Sequence, residues 1–586
     1  MKHLSGLDAT FLHMETPEMP MHVGGMNLFD LPPGYQGNFY DDVKQHIAQR
    51  MHLASIFTKK LALMPFDLAN PVWVEDGDID LDYHIRQITL PKPGTLAQLE
   101  AYVGRLHSSL LDRSRPLWEM YVFTGLESGQ AAFYSKVHHA ALDGQGAAVM
   151  AQALLDLGPV PRPVPPPPLR EKTPYQPAMR TLFNAALSNT AQQCLTLVKA
   201  LPEAARVVGN LLKPKFGGSG TQPKHKMGFG PRTLLNVSVT NQRSFTTLSL
   251  PIDEAKEIGK AFDGTLNDVV LAICSGALRD FLASKGPVPG KSLVAALPVS
   301  LREEGNTEMG NQVSMMQTEL ATQIADPIKR LRTIIGASKA MKSTLKNVKS
   351  VLPTDFPSLG VPWLMSGIVA LYGRSRLADN LPPLVNVVIS NVPGPRMPLF
   401  LAGARMATNF PVSIVVHGVA LNITVQSYNG SLDFGLIACR RALPDVAVLG
   451  QLMRQAHQQL LTLARATVHE NESTTGPASA VPEVAALKKT GSRKKVVKAA
   501  DLSDGPAKKA PAKPATKRKP AAKASAPETT KANSLPAAAS TASTASTAST
   551  ASAISAATTP EASPTTDGAA PTKKRFKAGG KFATLG

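Results

Sequence analysis

Short apolar runs bounded by turn-forming residues recur through most of this chain, and their period separates strands from helices. Residues 131–137 (AAFYSKV), 245–250, 293–297, 385–389, 412–416, 420–426 and 432–437 read as strands. Helical spacing marks 146–157, 253–262 and a strongly apolar stretch that opens at Thr265-Leu266-Asn267-Asp268 and runs to Leu282. Residues 178–213 are also largely helical in pattern, with Leu197, Leu201, Val208, Leu211 and Leu212 near one face and Lys199, Arg206 and Lys213 among the polar positions. A basic amphipathic helix of this kind can rest in a lipid headgroup layer or pack on the protein's own surface. Taken alone, the periodicity predicts α and β elements in two domains.

The run from Pro161 to Pro168 can join neither a helix nor a sheet interior and serves as a spacer. It divides the chain into an N-terminal domain (1–160), a Pro-rich crossover with the amphipathic stretch (161–230), a C-terminal domain (231–466) and a tail (467–586). In the tail aromatics almost vanish, Ala, Lys, Pro, Ser and Thr dominate, and Ala-Ser-Thr repeats over 539–551. Such a segment buries too little apolar surface to offset its ordering entropy, so disorder is expected. Between 471 and 586 there are 19 Lys and Arg against 7 Asp and Glu, so twelve of the chain's +20 charges sit there. A tail of this charge is attracted by anionic lipid or nucleic acid without reading sequence, unless it only keeps the protein soluble.

At 586 residues and 43% hydrophobic content the chain can build two or three folded units. Its cysteines, Cys194, Cys274 and Cys439, are too few and scattered for a disulfide framework or metal cluster, which points to a reducing compartment. The first twenty residues lack the continuous apolar core of a secretory signal. No window reaches the length of a spanning helix; residues 361–373 come nearest and stop at Arg374 and Arg376. These features predict a cytoplasmic protein that can lie on a membrane but does not cross it.

The densest chemistry is His138-His139-Ala140-Ala141-Leu142-Asp143-Gly144, at a predicted strand-to-helix junction. Imidazole is the side chain best able to accept and return a proton near neutral pH. His139 is the candidate general base, against the plainer reading of two core or surface imidazoles. Asp143 is equally readable as a helix N-cap, and Gly144 permits close backbone approach. No cysteine lies in a nucleophile motif and there is no Gly-x-Ser-x-Gly elbow around the histidines, which favours general-base chemistry over a covalent enzyme intermediate.

HHxxxDG is the signature of the CoA-dependent acyltransferase and condensation-domain superfamily. Further motifs narrow the likeness: Ser5-Gly6-Leu7-Asp8-Ala9 with Phe11-Leu12 and Glu15, Pro116-Leu117-Trp118-Glu119, Leu266-Asn267-Asp268, Ser390-Asn391-Val392-Pro393-Gly394-Pro395 and Ser427-Tyr428-Asn429-Gly430. Over about residues 3–465 the chain resembles the bacterial wax ester synthase/diacylglycerol acyltransferase family. The resemblance implies an α/β fold of two chloramphenicol-acetyltransferase-like domains with a tunnel between them. It implies an enzyme that transfers acyl groups from long-chain acyl-CoA to diacylglycerol or long-chain fatty alcohols, with acyl-CoA as substrate and no metal or resident cofactor. His138 would shape the turn, and Asp143 would orient it by pairing with Arg302. Asn267 and Asp268 would approach the tunnel, although a helix-capping role accounts for them as well. Pro116, Leu117, Trp118, Ser390 and Asn391 would line the tunnel, and Ser390 or Asn391 could donate to an oxyanion. The expected site of action is the inner face of the plasma membrane or lipid inclusions. Two other readings stay open: condensation with a carrier-bound acyl donor, and a non-catalytic lipid-granule or polyanion-binding protein.

Overall fold

The computed structural model describes residues 2–4, 6–62, 70–142, 144–166, 229–300, 313–348 and 377–474. The amphipathic stretch at 178–213, the apolar run at 361–373, Asp143, Arg302 and the chain beyond Thr474 lie outside the described residues.

The first half is organised by the hairpin of β6 (Trp118–Thr124) and β7 (Ala131–His138), in which almost every side chain is buried on one face or the other. Such two-sided burial is why 131–137 reads as a continuous apolar run rather than an alternating one. β2 (His22–Asp30) pairs antiparallel with β7, and β5 (Ile85–Thr89) runs parallel to β6. One face of this sheet packs α2 (Phe39–Arg50) and α5 (Gly144–Leu154), with Phe39, Val43, Ile47, Trp118, Val122 and Leu154 in the shared core. The other face meets α4 (Leu96–His107), which starts with a reciprocal capping box: Gln98 N–H donates to Thr95 Oγ1 and Thr95 N–H to Gln98 Oε1. A small sheet of β1 (Lys2–His3), β3 (Lys59–Ala62) and β4 (Val72–Glu75) stands beside α1 (Gly6–Met14), and a one-turn α3 (Leu81–His84) precedes β5.

The second half has a six-stranded mixed sheet. Its order is β10 (Val313–Glu319), β9 (Val294–Ser300), β11 (Val387–Val392), β15 (Leu421–Tyr428), β16 (Ser431–Cys439) and β8 (Arg243–Pro251). α6 (Ile252–Ala261), α7 (Leu266–Lys285), α8 (Pro327–Val348) and α9 (Val446–Thr474) complete it. The apolar pattern read at 265–282 is α7, buried on most sides because α6, α8 and α9 all pack on it. α9 runs to Thr474, past residue 467 where the change of composition begins.

Several elements differ in their bounds from the sequence reading, among them β11 and the end of α7, and two of the differences have a tertiary cause. α5 stops at Leu154 rather than 157, because Asp156 leaves the helix to exchange backbone hydrogen bonds with Phe400 and to accept a bidentate pair from buried Arg50 at 3.0 and 2.9 Å. The strand read at 412–416 lies earlier, as β14 (Phe410–Val412). It joins β12 (Phe400–Leu401) and β13 (Ala404–Met406), which leave the second half to extend the first sheet, β13 and β14 both pairing with β2. Close backbone approach holds these strands together: a Cβ on Gly435 of β16 would fall 1.8 Å from Pro411 O of β14, and one on Gly24 of β2 would fall 2.0 Å from Ser135 O of β7. Glycine is therefore required at both positions.

Candidate active site

β7 delivers the two histidines to the end of the first sheet. His138 closes the strand opposite His22, residues 139–141 turn away, and α5 begins at Gly144. Four backbone bonds fix the turn: His138 N–H donates to Leu117 O (3.0 Å), His139 N–H to Met21 O (2.8 Å), Ala141 N–H to His138 O (2.9 Å) and Leu142 N–H to His139 O (3.4 Å). The His138 side chain is fully buried. Its Nδ1 accepts the Ala140 N–H at 3.1 Å, so the ring proton sits on Nε2, 3.3 Å from Glu15 Oε1. Its Nδ1 is hydrogen-bonded, while Nε2 lies within ion-pair range of the Glu15 carboxylate without a hydrogen bond among the described residues.

His139 is held differently. Its ring is half-buried and stacks on Phe11, with centroids 4.0 Å apart and planes 11° from parallel. Its Nδ1 has no hydrogen-bond partner among the described residues. Burial, with the neighbouring His138 adding to it, pushes its pKa down to about 4, so at neutral pH the ring keeps a free lone pair.

Glu15 anchors the arrangement. It accepts the Met21 N–H at 3.1 Å and a bidentate pair from Arg113 at 2.8 and 3.2 Å, while Arg113 also donates to Leu12 O. Burial by itself would raise the carboxyl, but the contacts with His138 and then Arg113 outweigh it and hold the pKa at about 2. The loop that Glu15 begins is gripped by the second half as well: Arg243 donates to Glu18 O at 2.7 Å, and Met19 and Met21 enter the core of that half. The histidine turn therefore lies at the seam between the two halves, with Glu15 on one side of the loop and Met21 on the other.

Beneath the turn lies a buried polar layer. Lys136 pairs with Glu119 directly across the strands at 2.8 Å, and Glu119 also accepts the Tyr121 hydroxyl at 2.7 Å. His22 Nε2 donates to His107 O at 2.7 Å. His107 Nε2 donates to Ser413 O at 2.8 Å while its Nδ1 accepts from Tyr134 Oη at 2.7 Å, which ties the layer to the second half. Burial pushes His107 down to about 3 and His22 well below the ordinary histidine value.

These groups predict acid lability. A histidine whose folded pKa is depressed stabilises the fold fully above its unfolded value near 6.5 and loses that contribution as pH falls toward the folded value. For His107 alone the term amounts to as much as about 5 kcal/mol, lost between pH 6.5 and 3. Glu15 adds in the same direction below pH 4.5, while Glu100, raised by burial despite the hydrogen bonds it accepts from Thr246 and Thr247, opposes it. Thermal unfolding followed from pH 8 to 4 should show the midpoint falling steadily below pH 6.5; a flat profile would contradict this burial pattern.

Other motif residues take distinct places. Leu117 is buried with Leu4, Ala9, Leu12 and Ala140 and supports the turn from below. Trp118 enters the first-half core, stacked on His84 at 4.2 Å and donating from Nε1 to Phe57 O at 3.2 Å; Pro116 is buried just before it. Asp268 caps α7 by accepting from Thr265 N–H at 2.8 Å and Thr265 Oγ1 at 2.7 Å, as its helix-start position suggests. Asn267 accepts from Asn391 Nδ2 at 3.3 Å, which joins two motifs 124 positions apart. Ser390 faces Thr424 in the β11–β15 ladder. Gly394 donates to Ser427 Oγ at 3.0 Å and Asn429 to Pro395 O at 3.0 Å, so the Pro-Gly-Pro turn rests on the Asn429-Gly430 hairpin, where both residues have positive φ. The Asp143–Arg302 pairing lies outside the described residues. Arg113 escaped the sequence reading because its partner Glu15 is 98 positions away.

Residues 4–270 match the wax ester synthase/diacylglycerol acyltransferase catalytic domain, and residues 309–461 match the C-terminal domain of the same proteins. The chain belongs to the wax ester synthase/diacylglycerol acyltransferase family. A Mycobacterium tuberculosis protein named as a diacylglycerol O-acyltransferase is 39% identical over 455 residues, covering 76% of this chain and 96% of its own. The O-acyltransferase WSD of Acinetobacter baylyi is 35% identical over 447 residues, covering 76% and 93%. The solved wax ester synthase/diacylglycerol acyltransferase of Marinobacter aquaeolei VT8 superposes with a TM-score of 0.59 at 30% identity, covering 79% of this chain and all of that one. The protein is thus an acyltransferase with the family's α/β fold of two chloramphenicol-acetyltransferase-like halves, and its histidine turn falls within the catalytic-domain match.

Proposed function

We propose that the protein transfers the acyl group of long-chain acyl-CoA directly to diacylglycerol, giving triacylglycerol, and to long-chain fatty alcohols, giving wax esters, with His139 as general base. The observation that carries this reading is the pair of unequal histidines: His138 is fully buried, with Nδ1 holding the Ala140 N–H and Nε2 against the Glu15 carboxylate, whereas His139 is half-buried, neutral and stacked on Phe11, with an Nδ1 that has no partner among the described residues. The neutral imidazole takes the proton of the acceptor hydroxyl as its oxygen forms the new C–O bond at the thioester carbonyl. The tetrahedral intermediate then expels coenzyme A, and the imidazolium returns the proton to the departing thiolate. Atoms balance with ester and free coenzyme A as products. The chemistry calls on no metal or resident cofactor. Asn391, or Ser390 beside it, is the candidate oxyanion donor, and Asp143 with Arg302 the candidate pair that orients the turn.

Product analysis after incubation of palmitoyl-CoA with hexadecanol or dipalmitoylglycerol tests the proposal. Wax ester and triacylglycerol are the expected products. Ester formation only from a carrier-bound palmitoyl thioester would favour a condensation-type donor, and no ester from any donor would leave a binding role.

No helix among the described residues is long and apolar enough to cross a membrane. We assign the enzyme to the surface of the cytoplasmic membrane or of lipid inclusions, with the basic tail drawn to anionic lipid or nucleic acid. Because α9 extends to Thr474, the tail should be cut after that residue. Truncation at 475 is expected to leave kcat within about twofold while weakening binding to anionic vesicles and its salt dependence, as measured by cosedimentation. Unchanged cosedimentation would remove the tail from membrane association.

A further inference from the structure

In the second half, a cavity of about 200 Å3 opens at the carboxyl ends of the parallel strands β9 and β11, beside the N-terminus of α7. Leu297, Val299, Met316, Met341 and Ile389 supply its apolar walls, and its one polar feature among the described residues is the Asn267–Asn391 pair. The carboxyl ends of parallel strands are where open α/β sheets receive ligands. A cavity walled this way holds water poorly and suits a hydrocarbon. Val299, Met316 and Met341 belong to or pack on the same apolar cluster as Phe11, the ring stacked on His139. Met21, whose carbonyl accepts the His139 N–H, belongs to that cluster too. The cavity wall and the residues beside the histidine turn thus pack into one hydrophobic core.

We propose that this cavity receives a hydrocarbon chain of the substrate, and that Val299, Met316 and Met341 set the length of chain it accepts. The proposal rests on the acyltransferase reading above and adds a specificity site to it. The two methionines suit the task, since an unbranched thioether side chain can withdraw or fill space with little strain. The asparagine pair is the polar part of the lining, where its amide groups can meet the polar head of the chain. Each methylene taken into the cavity should tighten binding about fourfold.

The test is kcat/KM across two series: acyl-CoA from octanoyl to stearoyl with hexadecanol fixed, and alcohols from octanol to octadecanol with palmitoyl-CoA fixed. Val299→Phe and Met316→Phe, which narrow the cavity, should shift preference to shorter chains by about tenfold or more in one series and leave the other unmoved. The series that moves identifies the chain as donor or acceptor. Met341→Ala, which widens the cavity, should shift the same series toward longer chains. Unchanged length profiles in both series, or an equal loss at every length in variants with parental thermal unfolding, would overturn the proposal. If the parent protein made no ester at all, the reaction reading would fail instead. The cavity would still be tested by binding of a fluorescent long-chain fatty acid, which Val299→Phe should weaken; equal binding by variant and parent would then overturn it.

Discussion

His139→Ala is expected to lower kcat by roughly 100-fold or more while leaving the KM for acyl-CoA near the parental value, the loss ordinarily seen when a general base is removed. The separation of kcat from KM follows from position. The ring stacks on Phe11 with a buried, unpartnered Nδ1, while the backbone that shapes the turn is held by Met21 O and Leu117 O, which the substitution leaves in place. The pH profile provides a second signature. With the base held at about 4, kcat should stay level through pH 6 and fall only as pH approaches 4, whereas an ordinary imidazole would fall near 6.5. Short assays are needed, because the buried histidines weaken the fold in the same range. His138→Ala should behave otherwise: it removes the acceptor of Ala140 N–H and a contact of Glu15, so thermal stability should drop along with kcat.

Glu15→Ala is expected to cost about 3 kcal/mol of stability and most of the activity, although Glu15 sits on a loop well removed in sequence from the histidines. Its buried carboxylate is the charge partner of half-exposed Arg113 and lies against buried His138, so removing it strips the buried side of this network of its acceptor. It also holds the Met21 N–H, so its loss loosens the strand entry whose carbonyl positions His139. Glu15→Gln keeps an acceptor for Met21 but not the charge, and should fall between parent and alanine variant in both properties. Denaturant unfolding and ester synthesis measured on the same preparations check this; an alanine variant with parental stability would show that the network contributes little.

The parts legible in the sequence were those set by local pattern. The continuous apolar run at 131–137 became β7 because both faces of its sheet are covered, and the two histidines fell where the run ends. The capping chemistry at Thr265-Leu266-Asn267-Asp268 likewise produced the α7 start that its spacing demands. What was not legible depends on partners far apart in the chain. β13 and β14 are short and weakly apolar, and take their register from β2 nearly 400 residues earlier, so periodicity misplaced β14. The Glu15–Arg113 pair and the Asn267–Asn391 contact depend on tertiary proximity that no local spacing reveals. Trp118 read as a tunnel-wall residue by resemblance, and the fold places it in the first-half core against His84 and Phe57.

The most direct test of His139-driven direct transfer is pre-steady-state release of coenzyme A from palmitoyl-CoA, with and without hexadecanol, in the parent and in His139→Ala. Direct transfer predicts release only when the alcohol is present, and a rate at least about 100-fold lower in the variant. A stoichiometric burst of coenzyme A without acceptor, or equal rates in the two proteins, would contradict it.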